Sequence, residues 1–540
     1  MSQAYTPLDE WEVFSSAFEK FSSMVATLHD AQAQQLDHGQ VEKFLDMSGR
    51  ELLRRMFQGY LDHRATTEPN WESLEGHDDI IRTHRRQDCQ RHLATLFGEV
   101  IVSRTSYGAP GVESRFALDA QLNLPPDKYS DGLRCRLATD VSLMSFDEAM
   151  SRLDQTTGGH VPKRQSEQVV VKIAQDFEAF YDTRRAEEPE ASEDLLVLTT
   201  DAKGIVMRQE DLREATRQAA QRAKSVRGSG LSAGKKDNRK RMTQVASVYT
   251  VAPYVRRPEA IMNPPPDEVI PPRPKVENKR VWASVERDPR KVIDDMFAEA
   301  LRRDPHRQRQ WVMLIDGDRD QLAYIQAAAA RHQVVVTIIM DFIHVLEYLW
   351  DAARALNAGD AQATQEWVQT QALKVLQGQV QAVARGMRLS ATLRGVSDSK
   401  RAAVDTCADY LRNRWSFLQY DLFLEQGFPI ATGVIEGACR HLVKDRMDLT
   451  GARWRLQSAE AVLKLRSLRS SGDFEAYWQF HKQQELERHH LSRYAECLFL
   501  EVFRVEGKKI GSRRFKRAAP FPAYGITHRT CFTPHRLIIL

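Results

Sequence analysis

Three acidic residues, Asp201, Asp316 and Glu436, stand out by their positions in the sequence. Asp201 ends the apolar run Leu195–Asp201, Asp316 ends the run Gln310–Asp316, and Glu436 lies on a helix further along the chain. Carboxylate oxygens suit Mg²⁺ or Mn²⁺, which retain several waters and bind few protein ligands. Two such ions, about 4 Å apart, can activate a water or a 3′-hydroxyl and stabilise the leaving oxygen of a phosphodiester. One acid at a strand end is usually a turn former, so only the three together predict this chemistry.

Two further acids compete for the second position. Asp341 also ends an apolar run, Val334–Met340, and Asp318 follows Asp316 by two residues. We prefer Asp316, because in the strand order described next the fourth strand, and not the fifth, abuts the first. His344 lies about one helical turn after Asp341, so this pair is predicted to brace the site locally or to orient a group near the metal ions.

The elements around these acids follow the order of a ribonuclease-H-like fold, which places the core in the α+β or α/β class. A three-stranded meander is followed by a strand–helix–strand unit over residues 310–340 and then by the helix that carries Glu436. In this order the ends of the first and fourth strands are adjacent. From Phe342 to about Phe428 the pattern is helical, which predicts a large all-helical insertion in the core. The three meander strands are predicted at Leu195–Asp201, Gly204–Arg208 and Thr243–Val251.

A helix-turn-helix outline precedes the predicted sheet. Ser145 and Glu148 form a capping box that opens one helix, and a Gly-containing turn follows at 156–160. A second helix is then predicted to start at Val161–Pro162, with Lys163 and Arg164 in its first turn. Two-helix hairpins are common structural elements, but this outline is also typical of helices that enter the major groove of DNA.

The region before this hairpin has a mixed pattern. Residues 1–80 have helical periodicity, mainly over Trp11–Leu28 and Val41–Leu61. The stretch Leu96–Ser103 alternates, which predicts a strand paired with the region around Arg115.

Basic side chains are concentrated in two segments of a chain whose net charge is only +4. Such clusters are often solvated surface, but two of them in a nearly neutral chain indicate contacts with phosphates. A second cluster lies at 508–517. The first cluster consists of Arg222, Lys224, Arg227, Lys235, Lys236, Arg239, Lys240 and Arg241.

Two more bases share a predicted helical face with Glu436. Arg440 and Lys444 follow it at spacings of four and eight residues. Such a ladder is ordinarily a set of surface ion pairs worth a few tenths of a kcal/mol. Because the same face is predicted to point at two other acids, we expect the bases to hold DNA phosphates while Glu436 binds metal.

Composition restricts the class of protein. The chain has 540 residues, too many for one ordinary domain, and its charged fraction of 28% is typical of globular proteins. No apolar run approaches the roughly 18 residues that span a bilayer, and the N-terminus lacks the pattern of a secretory signal. The six cysteines are far apart and form no CxxC pair. We therefore expect a cytoplasmic protein without a membrane partner.

Several stretches resemble the ISKra-type bacterial insertion-sequence transposases, which are allied to the Mutator-like DDE enzymes. The resemblance covers roughly residues 85–470 and includes an upstream match at Leu96–Val100 and Leu118–Asp140. The more specific matches are Thr200–Met207, Asn238–Met242 with Val248–Tyr249, Leu314–Gly317, Asp341–Trp350, and Gly433–Met447 running into Thr450–Trp454.

The resemblance implies a ribonuclease-H-like catalytic domain that acts on transposon ends. It implies that Asp201, Asp316 and Glu436 are the metal-binding triad, and Asp341 with His344 matches a (Cys/Asp)-x-x-His signature of the superfamily. Related proteins often carry cysteine pairs near the small β element. Residues 103–110 have none, so we expect no zinc there.

These observations predict a bacterial DDE transposase, associated with the nucleoid, that uses two Mg²⁺ or Mn²⁺ ions. Its expected partners are double-stranded DNA, as terminal inverted repeats and as target, and a second copy in a homodimer. The alternatives are an inactive or domesticated DNA-binding regulator and a structure-selective nuclease. The predicted regions are an N-terminal helical region 1–84, a DNA-binding region 85–186 with its helix-turn-helix at about 145–178, a core in two parts at 195–345 and 429–470, the insertion 346–428, and a basic tail 471–540.

Overall fold

The fold was analysed in a computed structural model of the chain. The structure describes residues 9–31, 33–184, 189–226, 239–262, 271–357, 359–449 and 451–494.

The N-terminal part of the described chain combines helices with small antiparallel sheets. It begins with helices α1 (Asp9–Glu12), α2 (Ser15–His29) and α3 (His38–Thr66). Four strands follow, β1 (Leu74–Glu75), β2 (Ile81–Arg82), β3 (His84–Thr95) and β4 (Gly98–Gly108). The next helices are α4 (Ala117–Gln121), α5 (Asp131–Leu143), α6 (Phe146–Thr156), α7 (Lys163–Ile173) and α8 (Phe177–Arg184).

A second group of elements builds the largest sheet and the helices around it. In chain order these are β5 (Leu195–Val206), α9 (Glu214–Val226), β6 (Lys240–Val251), α10 (Pro258–Met262), β7 (Glu277–Ser284), α11 (Pro289–Arg303), β8 (Trp311–Ile315), α12 (Arg319–His332) and β9 (Thr337–Met340).

The remaining described elements are helical. They are α13 (Phe342–Leu356), α14 (Ala361–Leu376), α15 (Val380–Leu393), α16 (Asp398–Asn413), α17 (Tyr420–Glu425), α18 (Gly433–Ala438), a π-helical segment (Cys439–Lys444), α19 (Asp445–Met447), α20 (Leu456–Ser471) and α21 (Phe474–His489).

The five-stranded sheet has the order β7-β6-β5-β8-β9. Strands β5, β6 and β7 form an antiparallel meander, whereas β8 pairs in parallel with both β5 and β9. All five residues of β8 are buried, as expected for a central parallel strand that is covered on both faces. This mixed sheet is compatible with a ribonuclease-H-like core, and it confirms that the first strand lies next to the fourth.

The predicted boundaries of the meander were wrong. Strand β5 continues past Asp201 to Val206 and pairs with β6 along its whole length, so Gly204–Arg208 is not a separate strand. Asp and Gly favour turns, but here cross-strand pairing overrides that local preference. The third strand is β7, which the sequence pattern missed because it is an edge strand that begins with the polar residues Glu277–Arg280.

The small β element also differs from its prediction. Strand β4 pairs with β3, upstream of it, and its pairing with the region of Arg115 is limited to an isolated bridge between Tyr107 and Arg115. The residues of β3 are mostly polar and exposed, which conceals the alternating pattern of a strand. The capping box of Ser145 and Glu148 is present at the start of α6, and α7 begins at Lys163, directly after the predicted start at Val161–Pro162.

Buried charge in the core is compensated by pairing. Glu299 on α11 is 3% exposed and accepts hydrogen bonds from Arg280 at 2.7 Å, Arg302 at 2.9 Å and Arg303 at 2.8 Å. Burial alone would raise its pKa, but the arginines together hold the pKa of Glu299 well below its usual range. This cluster ties α11 to the edge strand β7.

Candidate active site

Three aspartates lie side by side at one edge of the five-stranded sheet. The last parallel pair between β5 and β8 is Thr199 with Leu314, so Asp201 and Asp316 each lie two residues beyond the same point. The pairing of Ile315 with Met340 places Asp341, the first residue after β9, level with Asp316. Neighbouring strands are about 4.8 Å apart. Asp316 is therefore between Asp201 and Asp341, just beyond the point where the parallel pairing of β5, β8 and β9 ends, and functional sites commonly form at this end of parallel strands.

Two hydrogen bonds position the helix that carries Glu436 over this edge. The Cys439 thiol, one helical turn after Glu436, donates to Asp201 Oδ2 at 3.2 Å. At the other end, the Thr432 hydroxyl donates to Asp341 Oδ2 just before α18 begins. Burial, with the nearby Asp201 carboxylate, raises the pKa of the Cys439 thiol, so this thiol is neutral and acts as a donor. The Glu436 helix is thus attached to β5 through Asp201 and to the end of β9 through Asp341.

The Glu436 helix is irregular immediately after the glutamate. Residues Cys439–Lys444 form a π-helical segment, in which each turn contains about one more residue than in an α-helix. Such segments are rare and are often found at functional sites. This segment contains Cys439, so the irregularity lies where the helix contacts β5.

The Asp201 carboxylate interacts electrostatically with both other acids of the predicted triad. Burial and then the Asp201 carboxylate raise the pKa of Asp316. Partial burial raises the pKa of Glu436, and the carboxylates of Asp341, Glu347 and Asp201 raise it further. Like charges that interact in this way favour either a proton or a cation between them.

The donor set of the triad fits a divalent cation. The three side chains offer hard carboxylate oxygens, and in the described chain none of them forms an ion pair with arginine or lysine. Their oxygens do not all lie within 4.8 Å of one another. The chemistry of these donors thus fits the Mg²⁺ or Mn²⁺ expected from the sequence.

Side chains from the helical region after β9 clamp the backbone beside Asp316. The Tyr410 hydroxyl donates to the carbonyl of Asp316 at 3.0 Å, and Arg414 Nε donates to the carbonyl of Gly317 at 3.0 Å. Gly317 has a φ of +94°, and a Cβ at this position would lie 2.9 Å from Arg414 Nε. The Tyr420 hydroxyl similarly donates to the carbonyl of Met340 at 2.8 Å. The helical region thus fixes the strand ends that carry two of the aspartates.

Asp341 and His344 have different surroundings. Asp341 is buried and caps α13 by accepting from the Ile343 amide at 2.9 Å. His344 is within hydrogen-bond distance of Glu347, 3.1 Å away, and lies edge-on to the ring of Tyr410. Asp341 thus bridges α13 to the Glu436 helix through Thr432, whereas His344 pairs with Glu347 and lies beside Tyr410.

Asp318 serves as a helix cap. Its carboxylate accepts from the Gln321 amide at 2.9 Å at the start of α12. The Gln321 side chain is buried and reaches back to the carbonyl of Thr200 at 3.4 Å. This contact joins the start of α12 to the residue before Asp201.

Several residues of the site were missed in the sequence. Tyr410, Arg414 and Thr432 contact it from places distant along the chain, and no local pattern marks them. Lys203 could have been found, because it follows Asp201 by two residues in a strand and hence shares its face. Its positive charge lowers the pKa of Glu436, against the stronger effect of burial.

The comparisons with known proteins give little independent information. No protein-family model matches the chain, and no curated protein matches it. Among solved structures, the strand transfer complex of the Drosophila P element transposase is similar to this chain, with a TM-score of 0.23 and 10% identity. That similarity covers 66% of this chain and 81% of the other. A likeness of this size carries no weight for fold or function.

The predicted DNA-binding bases are distributed over several surfaces. Lys163 and Arg164 are exposed at the start of α7, and Lys163 pairs with Asp147 of α6 at 2.7 Å. Arg440 and Lys444 are exposed on the π-helical segment, where Arg440 lies 3.7 Å from Asp445. All four are thus available at the surface.

The basic segment that follows α9 is described only at its ends. Arg222, Arg239 and Lys240 are exposed. Arg241 is partly buried and donates to the backbone carbonyls of Val285, Asp211 and Glu286, so its guanidinium is engaged within the fold. The side chains of Lys224, Arg227, Lys235 and Lys236 lie outside the described residues, as does the cluster at 508–517.

A different group has the compactness of a metal site. Potential ligand atoms of Asp176, His481 and Glu485 lie within 4.8 Å of one another. However, Arg488 pairs with both carboxylates, and Arg134 reaches Glu485 at 3.2 Å. Because arginines already neutralise this group, it is an ion-pair network that holds α21 against the residues after α7.

In the described ranges, no helix has the length and apolarity needed to cross a bilayer.

Proposed function

We propose that the chain is a DDE-type DNA transposase that cleaves DNA strands and transfers them with the help of divalent metal ions. The observation that carries the proposal is the shared register of Asp201 and Asp316, each two residues beyond the last parallel pair of β5 and β8, with the Glu436 helix attached to Asp201 through Cys439. We infer that these three acids, from distant parts of the chain, bind the metal ions together.

The roles of the residues follow from this arrangement. Bound Mg²⁺ or Mn²⁺ would supply Lewis-acid activation of the attacking oxygen and stabilisation of the leaving oxygen. Asp201, Asp316 and Glu436 would hold the ions, and Asp341 would position Glu436 through Thr432. Tyr410 and Arg414 would keep the Asp316 carboxylate in place by holding the backbone around it.

Double-stranded DNA is the proposed substrate. The exposed bases Arg440 and Lys444 follow Glu436 on the same helical segment, so they can contact phosphates next to the acids. Lys163 and Arg164 at the start of α7 would contact DNA further away, in the manner of a helix-turn-helix. Terminal inverted repeats of a bacterial insertion sequence, of the ISKra type, remain the proposed specific target, and a homodimer is the proposed active form.

The triad can be tested with charge-removing variants of similar size. Asp316→Asn and Glu436→Gln should abolish Mg²⁺-dependent cleavage of DNA that carries the sequences flanking the gene, while DNA binding remains. The matched control is Asp318→Asn, which removes a carboxylate two residues from Asp316 but keeps a good helix cap. Cleavage that survives in the triad variants, or that is lost equally in the control, would refute the assignment.

Two alternatives predict different products in the same assay. A structure-selective nuclease would cut the end DNA without joining it to a target. An inactive DNA-binding regulator would neither cut nor join, although it would still bind. Joined product that requires all three acids is the result expected for a transposase.

A further inference from the structure

The N-terminal helical hairpin exposes an unusual amount of apolar surface. Half of the large apolar side chains that are exposed in the described chain lie between residues 11 and 60. The exposed fractions reach 61% for Trp11, 49% for Phe18 and 55% for Phe21. Soluble monomers rarely expose a continuous apolar patch of more than a few hundred Å², so this surface is expected to have a partner.

The apolar residues of α2 follow the spacing of a helix that packs on two sides. Ala17 and Met24 are buried and seven residues apart. Phe18 and Val25, one residue further along in each heptad, are exposed. Exposed apolar residues thus form a row along α2, separated by alternating steps of four and three residues. This is the heptad repeat of helices that pack lengthwise against other helices. The exposed residues of this row are Phe18, Phe21, Val25 and Leu28, and Phe14, just before α2, continues it into the contact with α3.

The hairpin is held firmly to the rest of the fold. Gly59 of α3 allows close approach of α2, since a Cβ there would lie 2.7 Å from the Phe14 ring. On another face of α3, Gln58 donates to the carbonyl of Ile101 at 2.8 Å and accepts from its amide at 2.9 Å. Leu61 is buried in a small core with β3 and β4. The exposed apolar face therefore belongs to a fixed element.

A groove of about 660 Å³ runs between α1–α2 and α3 on this face. Aromatic side chains form one wall, whereas Leu52, Met56 and His63 of α3 form the other. The surface thus contains both protruding rings and a recess lined by apolar atoms. Such a surface can be complementary to itself, as a two-fold interface between identical chains requires.

The size of the patch matches that of a stable dimer interface. Large aromatic side chains bury about 150–250 Å² each, so the four exposed aromatic side chains between residues 11 and 60 (Trp11, Phe18, Phe21 and Tyr60) contribute about 100 Å² each. The other seven exposed apolar side chains of this region are Val, Leu and Met, which contribute less each. All eleven together therefore expose at most about 1,000 Å² per chain, compared with about 800 Å² per partner in a standard interface. The exposed apolar area of the hairpin is therefore large enough to form a standard interface with one partner.

We propose that the α1–α3 hairpin is a dimerisation surface on which a second copy of this chain packs its own hairpin. The two hairpins together form a four-helix arrangement, in which Phe18 and Val25 are buried against the partner. This inference stands on the surface itself and does not require the proposed transposase activity.

The test is the mass of the full chain in solution, measured by sedimentation without DNA and with reductant, so that cysteines contribute nothing. Wild-type protein should sediment at twice the chain mass of 61.8 kDa. The double variant Phe18→Glu/Val25→Glu should dissociate at least about a hundredfold more readily, because charges would be buried without partners. The matched control is Val335→Glu/Leu393→Glu, which changes exposed apolar residues elsewhere and should leave the dimer intact.

Circular dichroism and thermal melting distinguish dissociation from unfolding, since a variant that dissociates without unfolding keeps the helical signal and a cooperative transition. Wild-type protein that is monomeric at tens of micromolar would overturn the proposal. A dimer that persists in the folded double variant would also overturn it. Binding of neutral phospholipid vesicles or duplex DNA to a monomeric wild-type chain, lost in the variant, would assign the groove to that other partner.

Discussion

Replacing Gly317 by alanine tests whether the clamp on the Asp316 backbone matters for stability and activity. The added Cβ would lie 2.9 Å from Arg414 Nε and 3.0 Å from the Tyr410 hydroxyl, closer than such contacts normally allow. The positive φ of +94° adds about 1–2 kcal/mol of backbone strain. Losing the two clamping hydrogen bonds adds about 0.5–1.5 kcal/mol each. The expected loss in unfolding free energy is about 2–5 kcal/mol.

Gly395→Ala provides the matched control for backbone strain. Gly395 also has a positive φ, of +59°, but a Cβ there would meet no atom within 4 Å. Its substitution should therefore cost only the strain of about 1–2 kcal/mol. Urea unfolding of both variants isolates the contribution of the clamp as the difference between them. The cleavage assay should show that Gly317→Ala lowers turnover far more than Gly395→Ala.

The result that refutes the reasoning is equal behaviour of the two variants. If Gly317→Ala loses no more stability than Gly395→Ala, the contacts with Tyr410 and Arg414 contribute little. If it unfolds earlier but cleaves DNA at the wild-type rate when folded, the clamp is structural and does not position Asp316.

Three further predictions concern other contacts. Cys439→Ala should lower the cleavage rate about 2- to 12-fold, because it removes one hydrogen bond worth about 0.5–1.5 kcal/mol. Cys439→Ser should restore the rate. Equal cleavage rates in Cys439→Ala and the wild type would exclude a role for the Asp201 contact. Thr432→Val removes the hydroxyl that donates to Asp341, the buried N-cap of α13. This variant should have reduced turnover, whereas its DNA binding, measured by fluorescence anisotropy, should be unchanged. Glu299→Gln should cost about 3–5 kcal/mol at neutral pH. Folding lowers the pKa of Glu299, so its carboxylate stabilises the folded protein fully above about pH 4.5, and this stabilisation is lost as the pH falls further. The free energy of unfolding should therefore fall less steeply with decreasing pH in Glu299→Gln than in the wild type. An equal slope in the two proteins would contradict this.

The course of the central sheet was only partly predictable. The buried strand β8 was evident, because a short apolar run without alternation is typical of a strand covered on both faces. The end of β5 was misplaced at Asp201, since Asp and Gly favour turns locally, whereas pairing with β6 keeps the chain extended to Val206. Strand β7 escaped notice because its edge position permits charged residues that disguise the pattern.

The residues of the candidate site were also only partly predictable from the sequence. The acids could be proposed because each lies where an apolar run ends or on a helix with a distinctive composition. The side chains that position them could not, since Tyr410 and Thr432 approach from other elements and carry no local signal. The N-terminal apolar row was recognised as helical, but its exposure could not be inferred, because helical periodicity does not tell whether the partner is the same chain or another copy.

The sequence by itself determined the local features of this protein, namely which runs are buried and which acids follow them. A run of apolar residues must leave water, and an acidic residue marks the point in the sequence where such a run ends. Only the tertiary structure decided that Asp201 and Asp316 share one register, with Asp341 beside them and Glu436 above. That decision depends on pairing between strands more than a hundred residues apart, and the free energy of such pairing belongs to the whole sheet and to no single segment.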